Sequence, residues 1–211
     1  MSQDLWFWHA FFGMPGSNND LNVLNASPIF NQYLLGKAPE CPFVVNGRNY
    51  KYGYYLADGI YPDYATMVKA YRHPIEEDRK YFTKRQESSR KYVERGFGAI
   101  KEKWCVIKYP TRAWDDYKIK KVMYAVLILH NMMIEEKGRN ICTYNPNDAL
   151  NPAVTIHPGT DEYYNKMLEI YDGDTYHRLR QDLTDHIWDD ANGNVADFQP
   201  PPPFNDVNDI Y

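Results

Sequence analysis

Two acidic residues of this chain have settings that divalent-metal chemistry can use. Asp58 follows the run YKYGYYLA and opens an Asp-Gly turn, so it stands just past the C-terminal end of an expected strand. Glu94 lies within an expected helix of mixed basic and apolar character, beside Arg90, Lys91 and Arg95. Thirty-five residues lie between the two. A strand-end carboxylate and a helix carboxylate can converge on one cation. Magnesium takes oxygen ligands and is held by one or two carboxylates together with water and substrate phosphate. Two such ions about 3.5–4 Å apart stabilise the attacking and leaving oxygens of an in-line phosphoryl displacement. The ordinary alternative is a surface turn and an exposed ion-pair partner, and spacing alone favours it.

Other chemistry-bearing residues read as structural. His130, in LILHNMM, follows a very apolar stretch and fits a hydrogen-bonded core histidine at a helix end. His130 and Glu135 do not make a zincin pattern. His9 sits in an aromatic run and is expected to be structural as well. Tyr50, Tyr52, Tyr54 and Tyr55 could stack on bases, but such tyrosines more often pack in or beside a sheet. Cys41, Cys105 and Cys142 are far apart and form no CxxC pair, which suits reduced thiols. The sequence shows no Walker loop, dinucleotide fingerprint or helix-turn-helix.

The elements that must position Asp58 and Glu94 follow from pattern. Leu5 to Phe12 (LWFWHAFF) is a continuous apolar run, expected as a buried strand. Gly13, Pro15 and Gly16 end it. A short helix follows Ser17–Asp20, and Ser27-Pro28 reads as an N-cap with proline at the first position of a second. Cys41–Val45 and Tyr50–Ala57 flank Asn46-Gly47, a strong hairpin signal. Glu76 to about Trp104 reads as one long helix with Val93, Phe97, Ile100 and Trp104 on one face. Gly96 and Gly98 allow close packing there or mark a bend. A further helix begins near Asp115-Asp116. Its centre, VMYAVLIL, is apolar all round and is expected to be buried on several sides. A last amphipathic helix spans about Thr175–Trp188, and the run Pro200–Pro203 indicates a disordered tail.

The net charge of −4 hides an asymmetry. Residues 69–121 carry sixteen Lys or Arg against eight Asp or Glu, whereas residues 135–211 carry five against fifteen. A basic middle can attract phosphate, although a solvated helix face explains such a charge run equally well. No apolar run is long enough to span a bilayer, and no secretory signal is present.

Several stretches, in order, carry a resemblance: SQDLWFWHAFFGMPGSNNDLNVLNASPIF, YYLADGIYPDYATMVKA, RQESSRKYVERGFGAIKEKWCVI, LILHNMMIEE and RLRQDLTDHIW. The chain resembles the PIF/Harbinger transposase superfamily in its plant form, the Harbinger transposase-derived nucleases included. The resemblance implies an α/β, ribonuclease-H-like fold with a DDE metal site holding Mg²⁺ or Mn²⁺. It makes Asp58, of the LADGIYP-type motif, the second carboxylate, and Glu94, of the VERxFG-type motif, the third. Asp20, in GSNND, belongs to the same pattern and reads as a helix cap near the site. Arg85, Arg90, Lys91, Arg95 and Lys101 are expected to hold the DNA backbone. A separate Myb-like DNA-binding partner and a nuclear location are also implied, the cytoplasm being the alternative.

Two departures stand out. The family's first catalytic aspartate lies on a strand upstream of the SQDLW-type segment, so the fold is expected to be partial, lacking its first strand. Asp4 is no substitute. Tyr92 also stands where the family usually has aspartate. The expected organisation is a partial catalytic domain over 1–136, a loop over 137–160, a C-terminal helical segment over 161–189 and a tail over 190–211. The expected function is a transposase-derived endonuclease domain, for two-metal hydrolysis and strand transfer on DNA, catalytically weak or dead without its first aspartate. The alternative is a non-catalytic transposon-derived remnant that binds protein or DNA.

Overall fold

The computed structural model describes residues 1–14, 16–38, 41–110, 115–138 and 156–193. These build a mixed α/β architecture in which helices outweigh two small sheets. The loop expected over 137–160 and the tail expected over 190–211 fall largely outside the described residues. Among those described, no helix is long and apolar enough to cross a membrane.

The hairpin forms where Asn46-Gly47 signals it. Strands β1 (Phe43–Val45) and β2 (Arg48–Tyr50) pair antiparallel, with Val45 opposite Arg48. Asn46 and Gly47 both have positive φ, 48° and 72°, which the tight primed turn requires and these residue types tolerate. The run Tyr50–Ala57 is not one strand. After β2 the chain leaves the hairpin, and Tyr55–Ala57 forms β3, which pairs parallel with β4 (Met67–Lys69). A tyrosine-rich run cannot show from its own pattern that its two ends serve different partners.

The N-terminal region also departs from expectation. Leu5–Phe12 forms no strand. The segment lies on the helix α6 (Asp116–Glu136) and is held by side chains instead of a neighbouring strand. Asn131 Oδ1 accepts from the Phe7 backbone N–H at 3.0 Å, and Asn131 Nδ2 donates to the Phe7 carbonyl at 2.9 Å. One amide thus meets both backbone groups, as a strand neighbour would. Phe7 packs with Ile100, Val126 and Leu127, while Leu5 packs with Ala99 and Ile134.

Helix α1 spans Asp20–Ala26, and its cap is Asn19, whose side chain accepts from the Asn22 N–H at 2.9 Å. Asp20 is therefore the first helical residue and not the cap, where it still favours the helix dipole. Ser27 does not cap the next turn through its side chain. Its hydroxyl meets His9 Nε2 at 3.3 Å, and a short 3₁₀ turn, Pro28–Phe30, leads into α2 (Asn31–Leu34).

The expected long helix is two helices, α3 (Glu77–Arg90) and α4 (Tyr92–Lys103), meeting at Lys91, whose ψ is −7°. The break follows Ser88-Ser89, a pair of the kind at which helices kink, and not the glycines. Gly96 serves close packing: a Cβ there would stand 3.1 Å from Phe7 Cζ. Gly98 faces open space. A short helix α5 (Cys105–Lys108) follows.

Helix α6 is not buried all round. Val126, Leu127, His130 and Ile134 face the core at helical spacing, whereas Val122, Ile128, Leu129 and Met132 are exposed. His130 is a core histidine: it is 3% exposed, and its Nε2 lies 3.1 Å from the Leu5 carbonyl. Burial pushes its imidazole below the ordinary value, the Leu5 hydrogen bond opposes this and the Lys103 charge adds to it. The unfolded chain therefore takes up this proton at higher pH than the folded one. Its contribution to stability is full above about pH 6.5 and is lost as pH falls through the folded pKa. Urea midpoints are expected to drop between pH 8 and pH 5, and to drop less in His130→Gln. Equal drops would remove His130 from the account.

The C-terminal helices α7 (Asp161–Ile170) and α8 (Gly173–Ala191) close the structure. Leu179 and Leu183 of α8 pack with Val45, Tyr50, Val68 and Phe82, binding the hairpin, β4 and α3 into one core. Buried Asp182 accepts from Arg48 Nη1 at 2.7 Å and from the Tyr50 hydroxyl at 2.6 Å, so the hairpin is pinned to α8 by charge as well. Ile170 packs with Ala57, Tyr64 and Met67 on the other side of β3 and β4.

Candidate metal and phosphate site

Asp58 stands at the end of β3 because Ala57 is the last strand residue and the chain turns immediately after it. The Gly59 backbone N–H donates to Asp58 Oδ1 at 2.6 Å, and the Tyr61 N–H donates to the Asp58 carbonyl at 3.1 Å. The side chain remains 56% exposed. Glu94 lies in the first turn of α4 and is 63% exposed at its side chain.

Arg90 joins them. Its Nη1 lies 3.8 Å from Asp58 Oδ2 and 4.0 Å from Glu94 Oε1. Since both distances run from one atom, the carboxylate oxygens cannot be farther apart than the two laid end to end. Residues separated by thirty-five positions thus open on one guanidinium. The half-buried Arg90 was expected among the DNA-contacting cations, and the structure engages it with both carboxylates.

Gln86 sets this geometry. It is 4% exposed, and its Nε2 donates to the carbonyls of Ala57 at 2.9 Å and Val68 at 3.0 Å. One buried amide therefore ties α3 to the end of β3 and the middle of β4. Gln86, Arg90 and Glu94 follow at four-residue steps, so the face that grips the strand end also carries the guanidinium and the second carboxylate. Sequence reading missed Gln86; its in-phase spacing with Arg90 and Glu94 was the available signal.

Tyr61 borders the site. Burial raises its hydroxyl pKa, the charges of Asp20 and Asp58 raise it further, and Arg90 opposes them. Asp20 is thus within electrostatic range of the same hydroxyl as Asp58. Of the other expected DNA contacts, Arg85, Lys91, Arg95 and Lys101 are exposed on α3, its junction and α4. The Arg95 guanidinium lies over the Tyr92 ring at 4.9 Å. Asp4 is buried, where it accepts from the Ser2 hydroxyl and the Trp6 N–H. Among the tyrosines, Tyr50 is buried against Asp182 and Tyr52 sets its ring edge-on to Tyr33, while Tyr54 and Tyr55 are partly exposed.

The donor set suits a hard divalent cation in part. Two exposed carboxylates, one just past a strand end and one on a helix, match what magnesium asks of a protein when water and phosphate complete its shell. Among the described residues, no group of three or more His, Cys, Asp or Glu is placed to hold a metal. Arg90 supplies the positive charge between the carboxylates.

A family model described as plant transposon protein matches residues 1–141. Neither a curated protein nor a solved structure matches the chain.

Proposed function

The chain belongs to the plant transposon protein family, and on that premise we propose that Asp58 and Glu94 are two ligands of a DDE-type, two-metal site of the Harbinger class. In this reading the domain has a ribonuclease-H-like fold whose parent reaction is hydrolysis and transfer of DNA phosphodiesters. The observation that carries it is the meeting of Asp58 and Glu94 at Arg90 Nη1. The parallel pair β3–β4, with Asp58 at the C-terminal end of β3, supports it too.

Mg²⁺ or Mn²⁺, when bound, would activate the attacking oxygen and stabilise the leaving one. The chain's own residues do the positioning. The Gly59 N–H fixes one Asp58 oxygen and leaves the other for a cation. Gln86 keeps the strand end against α3. Asp58 and Glu94 would hold the cation, and the Arg90 guanidinium beside them would be available to meet a phosphate oxygen. Arg85, Lys91, Arg95 and Lys101 would hold the DNA backbone nearby, in a nucleus where a Myb-like partner supplies sequence recognition.

With two carboxylates brought together at Arg90 among the described residues, this polypeptide is expected to bind Mn²⁺ weakly and not to nick supercoiled DNA. Titration followed by electron paramagnetic resonance should show weak uptake, reduced about tenfold or more in Asp58→Asn and in Glu94→Gln. Uptake identical in wild type and both variants would refute the metal reading. Nicking by the wild type, abolished in Asp58→Ala, would keep the metal reading and overturn the expectation of inactivity.

A further inference from the structure

A second basic feature adjoins the Asp58 turn and is built partly from residues beyond the matched 1–141 region. A cleft of about 380 Å³ is lined by Gly59, Lys69 and Arg72 on one side and by Tyr176, His177 and Arg180 of α8 on the other. Three fixed cations and an imidazole face one carboxylate there, that of Asp63. Lys69 is already committed: its Nζ pairs with Asp63 and donates to the Tyr61 carbonyl at 2.7 Å. Among the described residues, neither Arg72 nor Arg180 has a carboxylate at ion-pair distance.

Both guanidiniums are nevertheless held in place. Arg72 Nη2 donates to the Gly59 carbonyl at 3.1 Å. The Arg180 guanidinium lies over Tyr71 at 4.2 Å and Tyr176 at 5.0 Å, and its Nη1 donates to the Tyr176 hydroxyl at 3.0 Å. Planar forks held by packing and hydrogen bonds lose little freedom on meeting an anion, and their geometry matches phosphate oxygens. A concave wall with this excess of positive charge concentrates anions. Gly59 connects the cleft to the carboxylate site: its N–H holds Asp58 and its carbonyl holds Arg72.

We propose that Arg72 and Arg180 form a phosphate-binding subsite that seats the backbone of a DNA strand beside the Asp58–Glu94 site. The identity of the anion as DNA rests on the reading given under Proposed function; the excess positive charge does not. In this arrangement α8 supplies one wall of the cleft beside the Asp58 turn, so the C-terminal helix contributes to substrate binding as well as to the core.

The test is anisotropy of a fluorescent DNA duplex with the full chain, in EDTA, between 50 and 200 mM salt, conditions taken from the known steepness of phosphate contacts, about one unit of log–log slope per phosphate. Arg72→Gln and Arg180→Gln are each expected to weaken binding about tenfold, and the pair to flatten the salt slope by about one. Arg180 packs on two tyrosines, so thermal melting accompanies each variant. Should Arg180→Gln unfold, the exposed Arg72→Gln carries the test. Wild-type affinity and slope in a folded Arg72→Gln, or no binding by wild type at the lowest salt, overturns the subsite. Because metal is excluded, DNA binding through these arginines without Mn²⁺ uptake would keep the cleft and discard the metal reading. Mn²⁺ uptake without an arginine effect would do the reverse.

Discussion

Gln86→Leu is expected to lower the unfolding free energy by about 2–4 kcal/mol, because two carbonyls lose a buried donor at once. Leucine keeps the approximate volume, so the loss is one of hydrogen bonding and not of packing. The affected carbonyls belong to Ala57 and Val68, on the two strands of the parallel pair. Each strand of that pair has three residues, so its ladder alone is short and the crosslink to α3 matters more than in a long sheet. The same variant should loosen Asp58 from α3 and weaken Mn²⁺ uptake beyond what the stability loss explains. Urea denaturation measures the first effect, and the titration at a temperature where the variant remains folded measures the second. A change below about 0.5 kcal/mol would mean that water or the strand ladder serves these carbonyls as well as Gln86 does.

The second large effect is expected at Asn131. Asn131→Ala removes both partners of the Phe7 backbone at once, and about 2–4 kcal/mol should follow. The side chain acts as a substitute strand edge for a segment that has no strand neighbour among the described residues. Phe7 lies against the core with Ile100, Val126 and Leu127, so its release would open that cluster. Limited proteolysis should cut residues 5–12 faster in the variant, and amide exchange should rise there before it rises in α8. Unchanged melting and an unchanged cleavage pattern would show that apolar packing alone secures the segment.

These two residues mark where the sequence was and was not sufficient. The Asn46-Gly47 hairpin and the start of α6 near Asp115 rest on local chemistry: turn dihedrals and a capping side chain. The position of Asp58 after Ala57 rests on the same ground, since an Asp-Gly pair ends an apolar run wherever that run is paired. Such features depend on a few neighbouring residues, and neighbouring residues are what a sequence displays. The split of Tyr50–Ala57 between two sheets was not legible, because alternation is the same whichever strand supplies the partner. Burial around α6 was misjudged for a related reason. An apolar helix centre states that several faces can be buried, but which are covered depends on how many elements arrive.

By itself, then, the sequence determined the transposon-derived family, through ordered matches of which all but the C-terminal RLRQDLTDHIW lie within the residues 1–141 that the plant transposon protein model covers, and it singled out two carboxylates, Asp58 and Glu94. Tertiary structure decided that those carboxylates meet at Arg90, that Gln86 holds them in register, and that α8 brings Arg180 to the Asp58 turn. The physical reason is range. Capping, turns and periodicity act over a few residues, whereas a guanidinium shared across thirty-five positions exists only after strand, kinked helix and C-terminal helix have packed.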